Sequence, residues 1–384
     1  MFSVTYKVVT CNHRTNKMGA PAFRYAELFL RHQVTVFSSN YALYADMSAR
    51  VMQILEQQAP AVEVYSIDEA FLDLSGTDAL LTLPDWACAL QQQIRQWTGI
   101  GVGIGLAPSK TLAKLANLAA KRWPATGGVV DLRDPARQQR LMTLMPIEDV
   151  WGVGRRLARR LRAEGIDTAL ALAKQDPRSI RQRYSVVLER TLRELRGEAC
   201  QSLEAVSARQ QIISSRSFGQ RVESQASLQQ AISHHISRAA EKLRADQRLA
   251  RQLSISIRTG LFNPQEPSYS RHASACLPEP SDDSIELLRL GRRLLQQIWQ
   301  PGYRYAKASV MLNDLYDRSS VQPDLFQTGT RMHPALMPLL DQINHSGRGR
   351  IFFASQGIDP DWQMKRAHLS PAYTTRWSDL PRVR

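Results

Sequence analysis

The sequence predicts an α+β protein with several domains. Its 384 residues are enough for about two to four domains with real cores. Two stretches of the chain alternate β-favouring segments with amphipathic helices, and a short segment rich in glycine and arginine lies between them. Helices covering one face of a mostly antiparallel sheet fit this order of elements.

The chain is strongly basic, with 50 Lys and Arg residues against 35 Asp and Glu, a net charge of +15 and a pI near 10.0. This balance predicts an anionic partner, above all nucleic acid, although an anionic membrane surface or solubility alone also fits. No apolar run approaches the length that spans a bilayer, and the first residues lack the layout of a secretory signal. Four scattered cysteines without a CxxC pair argue against zinc and disulfides, so we expect a cytoplasmic protein.

Two adjacent acids, Asp68 and Glu69, interrupt an apolar, β-favouring stretch that ends at Gly76. Branched and aromatic residues on both sides predict two short strands that meet at residues 66–69. Adjacent strand residues point to opposite faces, so the two carboxylates can converge on one site only at such a turn. Because Mg²⁺ prefers carboxylate oxygens, the pair is a candidate metal site, and a solvated acidic turn is the alternative.

Further periodic patterns lie around this turn. Apolar residues at helical spacing predict helices around residues 47–55 and over 83–97. Residues 99–105 alternate glycine with branched side chains, which predicts a strand over which another element packs closely. The glycines do not match a dinucleotide-binding fingerprint, since the expected spacing and the downstream acid are absent.

A lysine-rich helix is predicted from Ser109 to Lys121, with the serine as its N-cap. Its leucines and alanines fall on one face, while Lys110, Lys114, Asn117 and Lys121 line another. The N-terminus of such a helix favours anions, and an ordinary solvated lysine face is the alternative interpretation.

Two glycines, followed by a run of arginines, indicate a helix-hairpin-helix. Gly152 and Gly154 permit a tight turn whose backbone N–H groups can converge on a DNA phosphate. The next helix then presents Arg155, Arg156 and Arg159. Contacts of this kind position a duplex without reading its sequence and depend strongly on salt.

The charge around this hairpin supports the same interpretation. Residues 151–200 contain twelve Lys or Arg against six Asp or Glu. A solvated arginine-rich helix is the alternative, and the hairpin alone would equally suit a glycosylase or a nuclease.

A second mixed unit follows a polar linker over residues 202–211. Its apolar patterns predict these elements in chain order: a strand at 212–218, a helix at 228–249, a strand at 253–258, an extended segment at 269–275, a helix at 285–299 and a strand at 305–312.

Several of these segments together resemble the Y-family translesion DNA polymerases. The order Ser-Ile-Asp-Glu at 66–69, followed by Phe71 and Asp73, resembles their palm motif. The basic and aromatic stretch over 347–376 resembles the C-terminus of the UmuC-type branch. The chain is similar to the UmuC-type catalytic subunit of DNA polymerase V from about Lys17 to its C-terminus.

The resemblance implies a right-hand polymerase whose fingers are largely missing. It divides the chain into an atypical N-terminus or remnant of the fingers (1–36), a palm (37–145), a small helix-hairpin-helix thumb (146–205), an α+β little finger (212–315) and a C-terminal tail that binds the clamp and the accessory dimer (316–384).

The function that this resemblance implies is error-prone translesion synthesis in the SOS response, by template-directed nucleotidyl transfer with a two-metal mechanism. Asp68 and Glu69 would be the catalytic carboxylates that hold Mg²⁺, and Lys110 would reach the nucleotide phosphates. The implied partners are primer-template DNA, deoxynucleoside triphosphates, a UmuD-type accessory dimer, the sliding clamp and the RecA filament, with no membrane.

The tail contains a peptide that resembles the clamp-binding motif of bacterial polymerases. Gln322, Leu325 and Phe326 would be its contact residues, with the last two as an apolar anchor pair. Its place after the predicted little finger agrees with that role.

The chain departs from the family at its start. UmuC-type chains open with an Asp-x-Asn-x-Phe-Tyr strand that supplies a metal ligand, and nothing of that kind precedes Lys17. The first 45 residues contain five Lys or Arg and one acid, Glu27. This departure leaves an alternative function: a catalytically impaired, truncated relative that binds DNA, clamp and accessory dimer without efficient polymerisation.

Overall fold

The computed structural model describes residues 2–6, 21–77, 82–204, 209–263, 265–320, 335–346, 349–358, 362–364 and 366–380. The chain forms two compact units. The first comprises Met1–Ser207 and His368–Arg384, and the second comprises Ala208–Ala367.

The first unit is built on a five-stranded sheet with the strand order β2-β3-β1-β4-β5. Its strands are β1 (Phe2–Tyr6), β2 (Ala61–Ser66), β3 (Glu69–Asp73), β4 (Val102–Leu106) and β5 (Val129–Asp131). Strand β1 is central and runs antiparallel to both β3 and β4. The sequence patterns did not predict β1, but the β2–β3 hairpin turns where they predicted it, between Ser66 and Glu69.

Nine helices among the described residues accompany this sheet: α1 (Ala26–Arg31), α2 (Tyr41–Gln58), α3 (Leu83–Thr98), α4 (Lys110–Arg122), α5 (Pro135–Leu144), α6 (Arg155–Ala163), α7 (Ala169–Ala173), α8 (Pro177–Arg183) and α9 (Val186–Leu195). Helices α2 and α3 pack on the sheet in one apolar cluster. Helix α4 joins α5–α9 in a second cluster.

Strand β4 shows why glycine alternates with branched residues in this part of the sequence. Val102, Ile104 and Leu106 are buried in the cluster formed with α2 and α3. Gly105 lies against α4, where a Cβ atom would come within 2.3 Å of a backbone carbonyl oxygen. The predicted close packing is confirmed, although β4 begins at Val102 because Gly99, with φ of +73°, ends helix α3.

The second unit consists of an antiparallel sheet with the strand order β6-β9-β7-β8 and two long helices. Its elements are β6 (Ile212–Val222), α10 (Gln225–Ala245), β7 (Arg248–Thr259), β8 (Ser270–Ser281), α11 (Ser284–Ile298), β9 (Tyr305–Asp317) and α12 (Leu336–His345). The core lies between the sheet and helices α10 and α11. The predicted order of elements is confirmed, except that the helix predicted to reach residue 249 ends at Ala245, where β7 soon follows.

The C-terminal region is divided between the two units. Within the second unit, Asp341 of α12 forms a two-pronged ion pair with Arg244, and Trp362 is buried in the core. Within the first unit, the Ser38 backbone N–H donates to the His368 carbonyl oxygen at 2.7 Å, and Asn40 Nδ2 donates to the Ser370 carbonyl oxygen at 3.1 Å. In the part of the chain that the structure describes, no helix is both long and apolar enough to cross a membrane.

Candidate active site

The two acids of the sequence motif lie at the β2–β3 turn. Asp68 is exposed on the turn, where Ser66 Oγ donates to its Oδ1 at 2.6 Å. Glu69 begins β3 and is only 8% exposed. Ser48 Oγ of helix α2 donates to the Ile67 carbonyl oxygen at 2.6 Å, which fixes the turn from the side.

Glu69 faces a lysine rather than open solvent. Lys114 Nζ of α4 lies 2.6 Å from Glu69 Oε2. The same ammonium lies 4.9 Å from the ring centre of Tyr65 and 5.4 Å from that of Trp151. The Trp151 indole N–H donates to the Tyr65 hydroxyl at 3.3 Å. Strand β2, helix α4 and the glycine turn that begins at Trp151 therefore meet around the Lys114 ammonium.

Lys110 is held more deeply than its neighbour. Its side chain is 2% exposed, and its Nζ donates to Glu63 Oε2 at 2.6 Å and to the Ser202 carbonyl oxygen at 2.7 Å. The Phe71 ring centre lies 5.1 Å from the ammonium. A solvated lysine face is therefore wrong for this residue, and Asn117, on the same predicted face, is buried as well. The phosphate-binding role of Lys110 stays a prediction.

The donor chemistry at the turn fits a hard divalent cation. Two carboxylates provide the oxygen ligands that Mg²⁺ prefers, and that ion leaves its other positions to water and substrate phosphates. Among the described residues, no three His, Cys, Asp or Glu side chains are close enough together to form a more complete metal site. Strand β1, whose backbone register pairs Thr5 with Glu69, contains no Asp or Glu.

The helix-hairpin-helix adopts the predicted tight turn. Gly152 has φ of +88°, which L side chains rarely adopt, and Gly154 is the N-cap of α6. The Val153 N–H donates to the Val150 carbonyl oxygen at 3.0 Å and closes the turn. Both glycines are exposed, so their backbone can approach a phosphate.

The arginines of α6 differ in how they are paired. Arg162 pairs with Glu148, and the pKa of that carboxyl is held below its usual range by its own backbone N–H and by Arg162. Arg160 donates to the Arg183 carbonyl oxygen at 2.8 Å. Arg155, Arg156 and Arg159 are exposed, and within the described ranges no carboxylate forms an ion pair with them. Their charges therefore remain available for phosphates.

Other predicted residues lie outside the described part of the chain. These are the clamp-binding residues Gln322, Leu325 and Phe326 and the segment over 7–20. Their roles stay predictions.

The sequence patterns missed several residues that shape the site. Glu63, the partner of Lys110, looked like an ordinary acid in a strand, because its partner lies 47 positions away. Ser48 and Trp151 were likewise placed in their elements without a role at the turn. One signal could have suggested such pairs: the lysines predicted on helix α4 and the acids predicted on the β2–β3 hairpin.

Comparison with solved structures identifies the class of fold. A Y-family DNA polymerase chimera of Dbh and Dpo4 matches with a TM-score of 0.63 and 19% sequence identity, covering 78% of this chain and 83% of that one. The molecule therefore has the Y-family DNA polymerase fold.

Sequence comparison identifies the family within that fold. Residues 5–118 match the model of the impB/mucB/samB family, residues 209–325 match that family's C-terminal domain, and residues 334–383 match a domain of unknown function, DUF4113. The chain belongs to the impB/mucB/samB family.

Individual relatives agree with this assignment over nearly the whole chain. Protein UmuC of Salmonella typhimurium is 46% identical over 386 residues, which cover 98% of this chain and 92% of the relative. Protein MucB of Escherichia coli is 47% identical over 368 residues, covering 95% and 87%. DNA polymerase IV of Brucella melitensis is 25% identical over 344 residues, covering 88% and 73%.

Proposed function

We propose that this protein is a DNA-directed DNA polymerase that carries out translesion synthesis. The observation that carries the proposal is the turn bearing Asp68 and Glu69, with Glu69 paired to Lys114, on the Y-family polymerase fold. Close relatives named UmuC and MucB, together with a more distant DNA polymerase IV, support the same activity.

The reaction is nucleotidyl transfer from a deoxynucleoside triphosphate to a primer. The primer 3′-hydroxyl oxygen forms a bond to the α-phosphorus, the bond from that phosphorus to the bridging oxygen breaks, and pyrophosphate leaves while the hydroxyl proton passes to solvent. Asp68 and Glu69 would hold Mg²⁺. Metal ions held there in a two-metal arrangement would activate the hydroxyl and neutralise the leaving pyrophosphate.

The other residues of the site bind and orient the substrates. Lys110 places an ammonium against Glu63 of β2, the strand that leads into the turn, and would neutralise charge on the triphosphate. Arg155, Arg156 and Arg159 would hold the duplex by its phosphates, with the exposed N–H groups of the glycine turn beside them. Because these residues would contact phosphates and not bases, the polymerase would accept any sequence.

The proposal extends to partners that the resemblance implies. A UmuD-type accessory dimer, the sliding clamp and the RecA filament would act with the chain in the SOS response, the clamp through Gln322, Leu325 and Phe326. With these partners, the protein would act in the cytoplasm.

One observation keeps the catalytically impaired alternative open to test. The central strand β1 lies between β3 and β4 and contributes no carboxylate, whereas the resemblance to UmuC-type chains implies a metal ligand in the first strand. In this alternative the chain keeps its binding surfaces and polymerises poorly.

Primer extension by the purified chain with Mg²⁺ and accessory dimer tests the proposal. We expect extension past an abasic site by the chain itself and none by Asp68→Asn or Glu69→Gln. A third variant, Thr5→Asp, introduces a carboxylate at the register partner of Glu69. Extension by Thr5→Asp alone would support the impaired alternative, and extension that survives Asp68→Asn with Glu69→Gln would contradict the assigned site.

A further inference from the structure

A cavity of about 400 Å³ lies in the second unit, between helix α10 and the C-terminal part of the chain. One wall is an outward face of α10, where His234, Arg238 and Glu241 follow one another at helical spacing. The other wall consists of α12 and residues 350–358. These two segments lie within residues 334–383, which match the domain of unknown function. That domain therefore completes a cavity on the second unit.

The wall opposite α10 is held in place by hydrogen bonds. Gln356 Nε2 donates to Ser237 Oγ of α10 at 3.0 Å. Asn344 Nδ2 of α12 donates to the Ile351 carbonyl oxygen at 3.0 Å, and its Oδ1 accepts from the Ile351 N–H at 2.8 Å. The chain thus joins the two sides of the cavity directly, and the cavity is formed without a ligand.

Positive charge exceeds negative charge around this cavity. Two carboxylates line it in the described part of the chain, and both are already paired. Glu241 pairs with Arg238 at 2.8 Å, and Asp341 pairs with Arg244. Arg350 also lines the cavity and is exposed, and among the described residues no carboxylate forms an ion pair with it. The cavity therefore favours an anion.

The imidazole of His234 lies in the same positive field. Burial lowers the pKa of His234, and the charges of Arg238, Arg350 and Arg216 act in the same direction. The ring is therefore neutral at pH 7. The charges of three guanidinium groups reach this wall, and guanidinium groups are well suited to binding phosphate.

Aromatic and amide side chains line the cavity beside these charges. Phe352 and Phe353 are among them, and Phe352 is 47% exposed. The amide groups belong to Gln356 and Gln363. Exposed aromatic rings stack on the bases of single strands, amides can hydrogen-bond to base edges, and arginines bind the backbone phosphates. The volume lies within the range of small-ligand sites, about 300–1,000 Å³, so one unpaired nucleotide would fit and a duplex would not.

We propose that this cavity binds one nucleotide of single-stranded DNA, with Arg350 on its phosphate and Phe352 against its base. The site lies in the second unit and shares no residue with the acidic turn or with the arginines of α6. Template DNA beyond a primer end is single-stranded, so this ligand is present whenever the proposed reaction takes place.

Fluorescence anisotropy of labelled oligothymidylate, beside a blunt hairpin duplex, tests the proposal on the full chain. We expect Arg350→Gln to weaken oligothymidylate binding about fivefold and to reduce the slope of log K against log salt concentration by about 0.7. Phe352→Ala should weaken it about tenfold through lost stacking, with the slope unchanged. Both variants should bind the duplex like the wild type.

Arg292→Gln is the matched control. Arg292 is an exposed arginine of α11 that does not line the cavity, and in the described part of the chain no carboxylate forms an ion pair with it. We expect this variant to bind oligothymidylate like the wild type. Equal losses in Arg350→Gln and Arg292→Gln would show a general effect of charge and would overturn the inference.

Photo-crosslinking locates the site in the wild-type chain, so it does not depend on how a variant folds. An oligonucleotide that contains 5-iodouracil should label the peptide with Phe352 and Phe353. Labelling confined to peptides outside residues 234–245 and 349–363 would contradict the proposed site. The experiment requires no turnover, so its result stands whether or not the chain extends a primer.

Competition distinguishes the strand from other anions. An oligoglutamate peptide of matched charge should not displace the oligonucleotide, because it has no bases to stack. Displacement by that peptide would overturn the inference in favour of an acidic protein partner. Displacement by thymidine 5′-monophosphate at the same concentration would overturn it in favour of a free nucleotide.

Discussion

Lys114 and Glu69 form an ion pair of 2.6 Å at the edge of the candidate active site, so one of its two acids already faces a positive charge. The lysine is held in place by the rings of Tyr65 and Trp151 as well as by the carboxylate. Its neighbour Asp68 is exposed. A divalent cation that binds at the turn would therefore compete with Lys114 for Glu69.

Replacing Lys114 with methionine should strengthen binding of a divalent cation. Removing one unit charge a few ångströms from the site lowers the repulsion by about 1 kcal/mol, which corresponds to a several-fold tighter dissociation constant for Mg²⁺. Calorimetric titration of Mg²⁺ into the complex of the protein with DNA measures this dissociation constant. Lys121→Met, on the same helix, is the control for the loss of one positive charge. An equal gain in Mg²⁺ affinity in both variants would contradict a specific effect of the Lys114–Glu69 pair.

The exposed arginines of α6 should govern the dependence of DNA binding on salt. Each of Arg155→Ala, Arg156→Ala and Arg159→Ala should reduce the slope of log K against log salt concentration by about 0.9, equally for all sequences. Arg162→Ala is the comparison, because Arg162 is already paired with Glu148 and should change the slope less. Fluorescence anisotropy over a range of salt concentrations measures this, and equal slopes in all four variants would count against the assigned surface.

Gly105→Ala should destabilise the first unit. The new Cβ would lie 2.3 Å from the Ala113 carbonyl oxygen and 2.5 Å from the Asn117 nitrogen, both backbone atoms of α4. Such overpacking costs about 1–3 kcal/mol or more in the free energy of unfolding. Gly101→Ala is the matched control, since nothing lies within 4 Å of a Cβ there. Urea denaturation measures both, and a similar loss for each would refute the close contact.

His235 should make the second unit less stable in acid. Burial lowers the pKa of His235 to about 4, and the positive charges of His234, Arg216 and Lys307 act in the same direction. Its Nδ1 lies 3.0 Å from Ser214 Oγ. The unfolded chain has a histidine pKa of about 6.5, so between these values it binds a proton that the folded chain does not.

This contribution to stability is complete above about pH 6.5 and is lost as the pH falls toward 4. At about 1.4 kcal/mol per pKa unit, the loss between pH 7 and pH 5 is about 2 kcal/mol. Denaturant titrations at both pH values measure it. His235→Asn removes the titrating group, and we expect its stability to change less with pH; an identical slope would show that other groups are responsible.

Local patterns predicted much of the fold, because they depend on neighbours in sequence. Ser109 caps α4 as expected, and the β2–β3 turn falls at Ser66–Glu69. Strand β1 was missed although its residues, Phe-Ser-Val-Thr-Tyr, alternate apolar and polar side chains, because an alternation over only five residues is a weak strand signal. The alternation of glycine in β4 correctly indicated close packing, since that requirement is written into the strand itself.

The candidate site was only partly predictable, because its pairs join distant segments. Asp68, Glu69 and Lys110 were found from their motifs. The partner of Lys110, however, is Glu63, 47 residues away, and the Thr111 N–H donates to Glu194, 83 residues away. Likewise, Asn40 bonds Ser370 across 330 positions. Periodicity contains no information about such long-range pairs, and only the folded backbone brings them together.

Single-nucleotide insertion tests the central claim most directly. The purified chain, with Mg²⁺ and accessory dimer, would be offered each deoxynucleoside triphosphate separately on primer-templates with each of the four templating bases. The account predicts insertion that follows the templating base and is absent in Asp68→Asn and Glu69→Gln. Insertion that ignores the template, or none by a chain that still binds DNA, would contradict it.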